Sequence, residues 1–93
     1  MSVMGAIAKT IRDKLTDAFR PTRLEVEDDS ARHHGHAGAP DGGESHFNVL
    51  IESAAFVGTA KVARQRMVYS ALSAELAGPV HALSIRALAP GEV

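Results

Sequence analysis

His46-Phe47-Asn48-Val49-Leu50-Ile51-Glu52-Ser53 decides the fold, because Phe47, Val49 and Ile51 share one parity while His46, Asn48, Leu50 and Glu52 share the other. Side chains of an extended chain point alternately to opposite faces, so the stretch reads as a strand with one apolar face. Upstream, Leu24-Glu25-Val26-Glu27 repeats the pattern, with Leu24 and Val26 inward and the two Glu in water. Downstream, His81 to Leu88 repeats it again: His81, Leu83, Ile85 and Ala87 fall on one parity, Ala82, Ser84, Arg86 and Leu88 on the other. Three short strands are predicted.

Helical spacing fills the gaps between them. Ile7, Ile11, Leu15 and Phe19 recur every fourth position, with Ala8 and Ala18 beside them, which predicts an amphipathic helix over residues 3–19. Pro21 disfavours helical geometry at Arg20 and stops it. Between the second and third strands, Phe56-Val57-Gly58-Thr59 reads as a turn offering Thr59 as an N-cap. A second long helix then runs to about Ala77, with Val62, Val68, Tyr69, Leu72 and Leu76 on one side and Gly78-Pro79 as a left-handed cap and block. The order α-β-β-α-β predicts a small open-faced α+β domain over residues 1–93, a three-stranded mixed sheet with its helices on one face.

Residues 28–45 are rich in Gly, include Pro40 and lack any large aliphatic side chain, so a long exposed loop is expected there. If the third strand runs parallel to the second through a right-handed helical crossover, both strands start at the same edge of the sheet. The loop delivers the chain to that edge at His46, and His81 opens the third strand there. His33, His34 and His36 of the loop then converge on His46 and His81. An antiparallel third strand sends His81 to the opposite edge.

The 93 residues carry ten Lys and Arg against eleven Asp and Glu, a formal charge of -1. That balance excludes a dominantly basic phosphate-backbone binder. With no Cys, the chain by itself can form no disulfide, thiolate nucleophile or all-thiolate metal site. Its apolar runs are short, so no membrane span is expected, and Asp13 and Asp17 in the first helix are unlike a targeting segment. A cytoplasmic protein is expected.

Neutral imidazole is a good ligand for zinc, iron and copper. The alternatives are ordinary: a loop His beside Gly is solvated, and His81 is half-buried against a backbone carbonyl. Two or three His without Cys make a poor closed site but a good half-site, completed by a partner. Mixed Cys and His ligation of a [2Fe-2S] cluster is known from Rieske centres. Lys61, Arg64 and Arg66 at the start of the second helix are candidates for phosphate contact, their alternative being a solvated helix start. Glu44-Ser45-His46 fails as a hydrolytic triad, because adjacent strand residues point to opposite faces. The acidic run Glu25, Glu27, Asp28 and Asp29 lacks the spacing of a calcium loop. No catalytic acid or base stands out, and the expectation is a non-enzyme.

Six blocks in order resemble the BolA family: Leu24-Glu25-Val26 with Asp28-Asp29-Ser30, Gly35-His36-Ala37-Gly38, Gly43-Glu44-Ser45-His46-Phe47, Phe56-Val57-Gly58, Arg64-Gln65-Arg66-Met67-Val68-Tyr69, and Glu75-Leu76 leading to Val80-His81-Ala82-Leu83-Ser84-Ile85. The resemblance implies a fold like the type II KH domain and a stable partnership with monothiol glutaredoxins. In such pairs a [2Fe-2S] cluster is bridged between a glutaredoxin Cys, glutathione and ligands from the BolA side. By that likeness His81 and His36 are the metal ligands, with His34 and His33 as rival loop donors. The competing function is a DNA-binding transcriptional regulator of stress response and morphology, using Lys61, Arg64 and Arg66; a homodimer is also admitted. Two departures matter: the family commonly reads Arg-His-Arg where Arg64-Gln65-Arg66 stands here, and the loop is relatively long, with His33 and His34 as rivals to His36. Separately, Gly58 lacks the second Gly of a nucleic-acid-gripping Gly-x-x-Gly loop, so RNA binding does not follow from the fold.

Overall fold

A computed structural model describes residues 5–28 and 46–92. Helix α1 spans Ala6–Phe19, strand β1 Arg23–Asp28, strand β2 His46–Glu52, helix α2 Lys61–Ala71, helix α3 Ser73–Ala77 and strand β3 Ala82–Leu88, with a 3₁₀ turn at Ala54–Phe56. The sheet order is β1-β2-β3, with β1 antiparallel and β3 parallel to β2. This is an α+β fold built on a mixed three-stranded sheet.

The alternation in β2 governs which face is covered. Phe47, Val49 and Ile51 are buried, whereas the residues between them are only half-buried. The buried row packs with Ile11 and Leu15 of α1 and Val68 and Leu72 of α2 in one core. Both helices therefore lie on the same face. On β1, Leu24 and Val26 are the half-buried members and the two Glu are exposed, as the alternation predicts. Helix α1 ends where Pro21 forbids its continuation, and Arg20 closes it in the left-handed region at φ 46°, its N–H donating to the Thr16 carbonyl.

The second helix departs from expectation in three ways. It is broken at Leu72 into α2 and α3 rather than running unbroken to Ala77. Its N-cap is Ala60 with no side-chain bond. Thr59 instead donates its N–H to the Phe56 carbonyl (3.1 Å) and accepts from Arg64 Nε (2.8 Å). Gly78 is not left-handed, having φ -112°. Its lack of a side chain serves close approach, since a Cβ there would sit 3.3 Å from the Ala74 carbonyl oxygen.

The buried stripe of α2 is also not the apolar one. Val62 is 63% and Tyr69 39% exposed, while Arg64, Val68 and Leu72 are buried. Val62 and Val68 stand six residues apart, about 240° around a helix, so they cannot share a face. The spacing 64, 68, 72 does, with an arginine as its first member.

Candidate functional site

The parallel pairing of β2 and β3 sets His46 opposite Ala82. In β1, Asp28 pairs with Phe47. The end of β1 and the starts of β2 and β3 therefore form one rim, and the chain between Asp28 and His46 is anchored there at both ends. His33, His34 and His36 lie outside the described residues.

His81 directly precedes β3 at this rim and is exposed. Among the described residues its ring has no hydrogen bond, unlike the half-buried alternative considered for it. Because His46 pairs with Ala82, strand parity assigns His46 to the open face of the sheet and His81 to the helix-side row. The two share a rim, not a face. Among the described residues no three His, Cys, Asp or Glu side chains gather into a metal site. Among the described residues the imidazoles at this rim are those of His46 and His81, so a metal group held there would need further ligands from outside the described residues.

A depression of about 400 Å³ lies on the open face of the sheet, lined by Glu25, Glu27, Asn48, Leu50, Ser84 and Arg86 among others. Asn48 Nδ2 donates to Glu27 Oε1 across it (3.1 Å). It contains neither His46 nor His81, and it is open to solvent, with Val49, Leu50 and Ile85 lining it beside the polar side chains.

On α2 the basic candidates separate. Lys61 and Arg66 are exposed, but Arg64 is 5% exposed. Its guanidinium donates to the Ala87 carbonyl (3.1 Å) and clasps the Glu92 carboxylate through both terminal nitrogens, while Nε reaches the Thr59 carbonyl. Arg64 is committed to the interior and is withdrawn from any phosphate-facing set. The Arg64 hydrogen bond, reinforced by the Ala89 N–H, holds the Glu92 carboxyl down at about 2. The same pairing raises Arg64.

Arg64 also belongs to a row that the sequence did not disclose. Strand β3 is an edge strand, and its Leu83, Ile85 and Ala87 carbonyls receive Tyr69 Oη (3.3 Å), Gln65 Nε2 (2.7 Å) and Arg64. Helix α2 thereby blunts an edge that would otherwise offer a row of acceptors to another strand. Gln65, standing where the related motif has His, has this role.

Comparison with known proteins follows the same lines. A family model described as BolA-like protein matches residues 15–92. BolA-like protein 1 of Bos taurus is 46% identical over 90 residues, covering 97% of this chain and 64% of that protein. The DNA-binding transcriptional regulator BolA of Escherichia coli (strain K12) is 46% identical over 79 residues, covering 85% of this chain and 71% of the regulator. SufE-like protein 1, chloroplastic/mitochondrial, of Arabidopsis thaliana is 47% identical over 94 residues, covering 97% of this chain and 25% of that protein. The solved BolA domain of SufE1 from that plant superposes with a TM-score of 0.86 at 45% identity, covering 98% of this chain and 100% of the domain. The chain thus spans less than two thirds of the bovine protein and a quarter of the plant one. Among the described residues no helix is long and apolar enough to cross a membrane. The plant relative's name carries two organelles, so kinship does not single out the cytoplasm.

Proposed function

Because the chain belongs to the BolA-like protein family, we propose that it is a non-enzymatic adaptor which pairs with a monothiol glutaredoxin and lends imidazole ligands to a shared [2Fe-2S] cluster. The observation that carries this reading is the exposed His81 at the rim where both ends of the 29–45 segment are fixed. His81 and a loop His, taken as His36 with His34 and His33 as alternatives, would hold the cluster from this side. The partner would supply a Cys and a glutathione thiolate. When bound, the cluster provides a one-electron redox centre and a transferable iron-sulfur unit.

This chain's own contribution is presentation. An exposed imidazole on a strand start is held in place by the sheet yet free to meet a second molecule. The absence of Cys fits a role in which thiolates come from the partner. A relative whose name joins a BolA domain to a SufE-like protein supports an iron-sulfur setting. Names among the relatives are of BolA-like proteins and a regulator, which supports a non-enzyme. The test is the visible spectrum of the protein reconstituted with iron, sulfide, glutathione and a monothiol glutaredoxin. His81→Ala is expected to change the charge-transfer bands and shorten the cluster's lifetime; an unchanged spectrum and lifetime would refute the assignment.

The second reading, a DNA-binding regulator, is favoured by the name of the Escherichia coli relative and by the exposed Lys61 and Arg66 on α2. With Arg64 buried, only two cations remain there for phosphate, and affinity should then fall with salt at a shallow slope of about 2. Duplex binding that is abolished in a Lys61→Ala, Arg66→Ala double variant and indifferent to His81→Ala would support that function.

A further inference from the structure

We infer that the depression on the open face of the sheet binds a short free peptide, a zwitterion whose ammonium lies toward Glu25 and Glu27 and whose carboxylate lies toward Arg86. The inference is independent of the adaptor reading, because His46 and His81 stand outside the depression.

Strand register lays out the site. Glu25 pairs with Leu50 and Leu50 with Arg86, while Glu27 pairs with Asn48 and Asn48 with Ser84. The residues alternating with them pack on the core, so these six share the open face. Acid therefore stands on one edge strand and base on the other, with a half-buried Leu50 between them. Glu25 and Arg86 are two strand spacings apart, about 10 Å at the backbone. Their charges are not used up inside the chain. Arg23 Nε donates to Glu25 Oε2 (2.9 Å) and Asn48 Nδ2 to Glu27 Oε1 (3.1 Å), and each carboxylate keeps its second oxygen. The Arg23 to Glu25 pair is exposed at both members, so water screens it and a ligand ammonium can share the carboxylate. Arg86 and Ser84 are exposed, and among the described residues neither side chain has a hydrogen bond or ion pair.

Opposite charges at a fixed separation select the ligand class. A simple anion meets two carboxylates and a simple cation meets the guanidinium, so each is repelled by one side of the site. A zwitterion satisfies both sides, and an apolar middle covers Leu50. Extended chain advances about 3.3 to 3.6 Å per residue, so a tripeptide spans about 10 Å between its charged ends. The depression, about 400 Å³, falls at the small end of the range of ligand clefts, about 300 to 1,000 Å³. Because the face is open, salt and water screen its charges, and a Kd of about 1 mM is expected.

The experiment is a titration with alanyl-leucyl-alanine at low salt, followed by amide shifts in nitrogen–proton correlation spectra. Saturable shifts are expected at residues 25, 27, 48, 50, 84 and 86. Acetylating the peptide's amine or amidating its carboxylate should each weaken binding about threefold to fivefold. Arg86→Gln should weaken the free peptide by the same factor and leave the amidated peptide unaffected. A Glu25→Gln, Glu27→Gln double variant should do the same for the other end, leaving the acetylated peptide unaffected. These positions are exposed, and the same spectra report whether each variant is folded. No saturable shift up to about 10 mM peptide would overturn the assignment. Equal binding of the free, acetylated and amidated peptides, or an Arg86→Gln variant that binds the free peptide as the wild type does, would overturn it too. Shifts at the same residues that follow protein concentration without peptide would give the face to a second copy of the chain and refute the peptide site.

Discussion

At its C-terminal end β3 sinks into the protein: Ala87, Leu88 and Ala89 are 7%, 9% and 7% exposed. The Leu88 carbonyl accepts from the Ser53 N–H (2.9 Å), and the Arg64 to Glu92 clasp closes over the strand's exit. At its other end the same strand starts from His81 and Ala82, both exposed. The contrast separates two duties within seven residues. Stability is concentrated where polar groups are paired, while the proposed ligand donor is placed where the strand opens into solvent. Perturbing the closed end should unfold the protein, and perturbing the open rim should change what it binds.

Phe56→Ala probes the closed end most severely. Phe56 is fully buried and its ring lies 5.2 Å from that of Phe19, joining the exit of α1 to the turn after β2. A loss of about 3 to 5 kcal/mol in chemical denaturation is expected. A cost below about 1 kcal/mol would erase the contrast. Ser53→Ala should cost less, about 1 to 3 kcal/mol. Buried Ser53 donates to the Phe19 carbonyl (2.6 Å) and accepts from the Ala55 N–H (3.1 Å), so truncation orphans two backbone groups.

Glu92→Gln sharpens the comparison through pH. The Glu92 carboxyl is lowered from 4.5 to about 2 in the folded protein. Its contribution is therefore complete above about pH 4.5 and lost as the pH falls toward 2. Wild type should melt a few degrees above Glu92→Gln near neutral pH, and the gap should close with acidification. A gap that stays constant from about pH 6 to pH 2 would mean that the clasp does not set it.

The strands and the meeting of His46 with β3 were legible because a two-residue period survives in every strand, and parallel pairing of strands joined by a helix fixes a common edge. Helix α2 was not. Its buried row opens with Arg64, which reads as a solvent residue, and the partner that permits its burial, Glu92, lies 28 residues away with no local signal. Val62 and Tyr69 misled in the opposite sense, since apolar character was taken for burial. A helical-wheel comparison of 64, 68 and 72 with 62, 66 and 69 would have exposed two stripes, one buried and one exposed. The same edge-sealing role explains Gln65: an amide reaches the Ile85 carbonyl at 2.7 Å.

His81→Ala should have the smallest effect on stability. Its ring is exposed and bonds to none of the described residues, so a change within about 0.5 kcal/mol is expected in urea denaturation. The visible spectrum of the glutaredoxin mixture should nonetheless change. A large stability loss would place His81 among the packing residues and leave the spectrum ambiguous, because a partly unfolded adaptor also loses a cluster. The variant is therefore read at a urea-free temperature well below its melting point, with Ser53→Ala as the companion: that substitution lowers stability at the closed end yet should leave the bands intact. Opposite behaviour of the two variants is what the division of β3 requires, since the proposed donor stands at the rim and the Arg64 to Glu92 lock at the exit.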